Sequence, residues 1–104
     1  MVTENMVRTA LRDVYDPEIG VNIVDLGLIY NVDVEPEEKE GFVHIEMSLT
    51  SPGCPAGPMI ITDVHRALQV FEDIKEVDVE LVWSPYWNPS MMSEDAKEEL
   101  GYYD

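Results

Sequence analysis

A chain of 104 residues, 45% of them hydrophobic, can bury roughly two-thirds of its unfolded surface as one domain and is too short for two. Its 22 acidic and 6 basic side chains give a formal net charge of -16, which repels phosphate backbones and anionic headgroups and argues against nucleic acid or a membrane surface as partner. A single cysteine excludes an internal disulfide framework, no stretch reaches the ~20 apolar residues of a membrane span, and the first residues lack a basic, then apolar, leader pattern. The expectation is one soluble cytoplasmic domain, 1–104, its acids spread over a folded surface. That surface either aids solubility or adapts the chain to a high-salt interior, where self-repulsion is screened within ~3 Å at 1 M.

Met6, Val7, Ala10, Leu11 and Val14 recur at helical spacing, which predicts an amphipathic helix from Thr3 to Val14 with Thr3 as its N-cap. Pro17 disfavours helical geometry at Asp16, so Asp16-Pro17-Glu18-Ile19-Gly20 is a turn that sets two carboxylates on a loop. From Leu28 the period becomes two. Leu28, Tyr30, Val32 and Val34 alternate with Ile29, Asn31, Asp33 and Glu35, and Val43, Ile45, Met47 and Leu49 alternate with His44, Glu46, Ser48 and Thr50. The polar, glycine-ended connection Pro36 to Gly41 makes these strands an antiparallel hairpin.

Ser51-Pro52-Gly53-Cys54-Pro55-Ala56-Gly57-Pro58 follows, a turn whose prolines and glycines set the lone thiol between a strand and a helix. Ile60, Val64, Leu68 and Phe71 form the apolar stripe of that helix, Pro58 to Phe71. Val77, Val79, Leu81 and Trp83 mark a third strand running into the irregular Pro85 to Pro89, and a short helix closes the chain, capped by Ser93 and stopped by Gly101. The order α-β-β-α-β-α, with apolar residues on one sheet face and one stripe per helix, predicts an α+β two-layer sandwich: a three-stranded sheet with helices on one face.

Cys54 precedes the free N–H groups that open the second helix, which favour a thiolate, the form that is both nucleophile and metal ligand. Asp16 and Glu18 would bring oxygen ligands, and their charge would oppose that effect; Thr50 and Ser51 would orient a ligand through their hydroxyls or cap the turn. Neither histidine reaches the sulfur. His44 is roughly 20 Å before Thr50 along an extended strand and His65 about 15 Å beyond Cys54 along a helix, so a thiol enzyme with a Cys-His pair is disfavoured. One thiolate cannot build a four-thiolate iron-sulfur site or a zinc cage. It can supply an incomplete ligand set, completed by a second copy in a homodimer, a client protein or a small thiol, from which iron or a cluster can be passed on. Trp83, Tyr86 and Trp87 would pack as core or lid, or recruit clients if the protein is a metal-free adaptor.

Asp16-Pro17-Glu18-Ile19-Gly20, Ile23-Val24-Asp25-Leu26-Gly27-Leu28-Ile29-Tyr30, Leu49-Thr50-Ser51-Pro52-Gly53-Cys54-Pro55 and Trp87-Asn88-Pro89 together resemble the metal-sulfur cluster assembly factor family, the PaaD/SufT-like iron-sulfur domain. The resemblance runs from Met6 to Gly101. It implies a small α/β domain, not an enzyme, that helps mature iron-sulfur clusters or deliver them to client apoproteins alongside other assembly factors. Cys54 would be its reactive, metal-contacting residue, with Asp16, Glu18, Thr50 and Ser51 around the iron or cluster. Relatives named for phenylacetate degradation imply service to an oxygenase complex as an alternative role.

Overall fold

The computed structural model describes residues 2–35, 41–50, 53 and 55–102. Helix α1 spans Glu4–Leu11, and the Thr3 hydroxyl accepts from the Met6 amide at 3.2 Å, the expected N-cap. It ends short of Val14. The amides of Arg12, Asp13 and Val14 each bond three residues back, at 3.0–3.2 Å, so the helix tightens before the turn and still buries Val14.

Strands β1 (Ile29–Glu35) and β2 (Phe42–Met47) pair antiparallel, as expected, and β3 (Glu76–Leu81) joins β2 parallel, giving the sheet order β1-β2-β3. A parallel neighbour requires a crossover, and helix α2 (Gly57–Leu68) supplies it. Val43, Ile45 and Met47 are fully buried beneath α1 and α2, together with Val7, Leu11, Ile60, Val64 and Leu68. Their neighbours on β2, Phe42, His44 and Glu46, are half-buried on the outer face, where His44 and Glu46 stand in register with Asp78 and Glu80 of β3.

Strict alternation would turn Ile29 outward with Asn31 and Asp33. The register shifts between Ile29 and Asn31, so Tyr30 has no cross-strand partner and Ile29 sits opposite Met47, 8% exposed. One extra residue flips the side chains before it to the other face, which is why Ile29 is buried on the side of Met47.

Beyond β3 the chain folds back over the segment between α1 and β1. The Trp87 indole N–H donates to the Leu26 carbonyl at 2.6 Å, the Tyr30 hydroxyl to the Pro85 carbonyl at 2.9 Å, and the Ser93 amide to the Asp25 carbonyl at 2.7 Å. A 3-10 turn at Pro89–Met91 lies so close that a Cβ on Gly27 would collide with the Met91 carbonyl oxygen. Helix α3 (Glu94–Leu100) then starts on the expected Ser93 cap, whose hydroxyl accepts from the Ala96 amide, and stops at Gly101 in left-handed geometry, φ 73°. The hairpin tip expected at Pro36 to Gly41 lies, apart from Gly41, outside the described residues.

Candidate functional site

The Asp-Pro-Glu turn is built by its own first side chain. Asp16 Oδ1 accepts from the Glu18 amide at 2.9 Å, and the Asp16 carbonyl accepts from Ile19 at 3.2 Å and Gly20 at 2.7 Å. Gly20 adopts φ 83°, a conformation that costs glycine nothing. An isolated bridge between Tyr15 and Asn22 closes the base, with the Asp16 amide donating to the Val21 carbonyl.

This folding buries the carboxylate. Asp16 is 1% exposed, and among the described residues its Oδ2 is the buried side-chain oxygen or nitrogen that lacks a hydrogen-bond partner. A buried, unsatisfied acceptor costs about 1–3 kcal/mol and more when charged, so this oxygen calls for a partner. Glu18 is exposed. The turn separates the two acids that the sequence pairs: one is held in the wall, and the other faces solvent.

A run of backbone hydrogen bonds joins this turn to the exit of β2. Ile23 donates to the Val14 carbonyl at 2.9 Å, Leu28 to the Ile23 carbonyl at 3.1 Å, and Ser48 to the Leu28 carbonyl at 2.8 Å, with Thr50 two residues further on. Ser48 is fully buried and Leu49 is 5% exposed, so β2 leads Thr50 to the surface from a fixed base, and Thr50 itself is half-buried. On the far side of the cysteine loop, α2 begins at Gly57, buried against Leu49: a Cβ there would stand 2.9 Å from Leu49 Cδ1. The described flanks of the loop therefore touch. Ser51 and Cys54 lie outside the described residues.

The start of α2 has Pro58 in its first turn, as expected, and Ala56 in the cap position without a side-chain hydrogen bond. Its first amides therefore have no side-chain acceptor from the cap. Among the described residues no group of three or more His, Cys, Asp or Glu side chains is arranged to hold a metal ion. Neither histidine shares the neighbourhood of the turn. His44 Nδ1 lies 2.7 Å from Asp78 and its Nε2 3.4 Å from Glu80 on the outer sheet face, and His65 lines a cavity near the C-terminal end of α2.

Three residues absent from the sequence-based site brace it. The Asn22 side chain accepts from the Asp25 amide at 2.9 Å and donates to the Asp25 carboxylate at 2.7 Å, and Arg12 reaches that carboxylate at 3.4 Å. The Asn-x-x-Asp spacing is a local signal for this turn. The aromatic residues divide. Trp83 and Trp87 pack against the core, while Tyr86 is 71% exposed.

A family model described as iron-sulfur cluster assembly protein matches residues 4–81. An Fe-S protein maturation auxiliary factor of Porphyromonas gingivalis is 50% identical over 100 residues, covering 96% of this chain and 92% of its own. The Fe-S protein maturation auxiliary factor SufT of Staphylococcus aureus is 48% identical over 88 residues, covering 85% of this chain and 97% of its own. A crystal structure of a domain of unknown function from Bacillus anthracis superposes with a TM-score of 0.89 at 39% identity, covering 96% of this chain and 92% of that one. Among the described residues no helix is long and apolar enough to cross a membrane.

Proposed function

We propose that this chain, which belongs to the iron-sulfur cluster assembly protein family, is a maturation factor that engages iron or an iron-sulfur cluster transiently and hands it to client apoproteins. The relatives named as Fe-S protein maturation auxiliary factors support the process, and their names denote factors rather than enzymes. The observation that carries the mechanism is Asp16: a carboxylate withdrawn from water with one oxygen left unpaired.

In this reading Cys54 supplies the thiolate and Asp16 Oδ2 an oxygen ligand, with Glu18, Thr50 and Ser51 around the cargo. One thiolate and one fixed carboxylate leave coordination positions open. Iron held this way exchanges to a client that offers more cysteines, whereas a closed four-ligand site would retain it. The protein contributes a pre-set position: the Asp16 carboxylate is oriented by the Glu18 amide, and the β2 exit is fixed by buried Ser48 and Leu49.

Anaerobic reconstitution with iron and sulfide tests this. The wild-type chain is expected to develop cluster absorption, Cys54→Ala to lose it, and Asp16→Asn, which keeps the Oδ1 acceptor, to bind iron roughly tenfold or more weakly. Equal spectra for all three would remove the metal-contact reading. A second reading, an adaptor without metal of its own, draws on the exposure of Tyr86 beside the Pro85 and Tyr30 contact. It expects Tyr86→Ala to abolish client maturation and Cys54→Ala to leave it intact.

A further inference from the structure

We propose that the cavity near the C-terminal end of α2 is a binding site for a small oxyanion, a phosphate ion or the phosphoryl group of a partner. Carboxylates outnumber basic residues 22 to 6 in this chain, so a cation with a carboxylate beside it is the default. The described cations follow that default almost everywhere. Arg8 lies 3.0 Å from Glu4, Arg12 3.4 Å from Asp25, Arg66 3.4 Å from Asp63 and Lys97 3.9 Å from Glu94, and His44 stands between Asp78 and Glu80.

Among the described residues, Lys75 and His65 are the exceptions, with no carboxylate within 4.0 Å, and both line the same cavity of about 160 Å³. Gln69 adds a side-chain amide to that lining, and Leu68 and Ile74 give it apolar wall. The space is large enough for a phosphate-sized group. Lys75 comes ready positioned: its amide donates to the Gly41 carbonyl at 2.8 Å, and the first carbons of its side chain pass over Gly41.

Two features oppose an anion here. Glu76 lines the cavity as well, beyond ion-pair distance of Lys75 and His65, and the last carbonyls of α2 carry partial negative charge. They set the affinity low, with a dissociation constant on the order of 1 mM, suited to an abundant ion or to one contact of a larger interface. The strand register puts this cavity at the Phe42 and Glu76 end of the sheet, away from the β2 exit at Met47 and Leu81, so it is independent of the iron-handling reading.

Titration of the isotope-labelled full chain with inorganic phosphate, followed by NMR at constant ionic strength, tests the proposal. Saturable shifts are expected at His65, Gln69 and Lys75. Lys75→Met, which keeps the aliphatic stem, is expected to weaken binding by about tenfold, His65→Gln less, and Arg66→Gln not at all. An O-phosphoserine arm separates the sources: tighter binding than inorganic phosphate assigns the site to a phosphorylated side chain, and weaker binding to the free ion. Shifts that fail to saturate with either ligand, or an affinity unchanged in Lys75→Met, would overturn it.

Discussion

Asp16 combines two properties that folding by itself would not select. Its Oδ1 does the structural work of the turn, while Oδ2 is buried without a partner. Asp16→Asn keeps the shape and removes the charge, so it is expected to leave the thermal midpoint unchanged or raised while iron binding falls; a loss above about 2 kcal/mol in urea unfolding would make Asp16 a structural residue instead. Gly27 shows the opposite case, a residue fixed wholly by packing. It combines φ 80° with the Met91 backbone in the place of any side chain, and backbone cannot yield as a side-chain tip can. Gly27→Ala is therefore expected to cost about 2 kcal/mol or more, read as a drop in the urea midpoint, because left-handed strain and the clash add.

At the scale of elements, the segment between α1 and β1 has no regular structure of its own and is held by what lies over it. Trp87, Tyr30 and Ser93 each make one of the hydrogen bonds that clamp the chain after β3 onto residues 25–30. Trp87→Phe retains the ring and removes the donor to Leu26. The expected loss is about 1 kcal/mol, a thermal midpoint lower by roughly 4–8 °C for a domain this size, measured by calorimetry. The same clamp explains why an aromatic run after a strand is half-buried at Trp83 and Trp87 and exposed at Tyr86: the first two anchor the return of the chain and the third is left over.

Over the whole molecule, the charge of -16 is visible in the sheet. On its outer face Glu46 stands in register with Glu80, a like-charge pair, and His44 is set between Asp33 on one side and Asp78 on the other. Such repulsion is screened by salt, so the thermal midpoint is expected to rise from dilute to molar salt. Glu46→Gln is expected to add a few tenths of a kcal/mol at low salt and about nothing near 1 M, a difference that unfolding at both ionic strengths would detect. A midpoint indifferent to salt would leave the acidity as a solubility feature alone.

The element order, the hairpin, the caps at Thr3 and Ser93, the stop at Gly101 and the buried faces of β2 and α2 were legible in the chain, because each follows from neighbours within one or two turns or from a regular period. So was the Asp-Pro-Glu turn, which is a local hydrogen-bonding device. Three things were not: the inward turn of Ile29, the parallel placement of β3, and the burial of Asp16 with one oxygen unpaired. Each depends on residues far away in sequence, since a register, a neighbouring strand and the exclusion of water from a carboxylate exist only once distant segments are packed together.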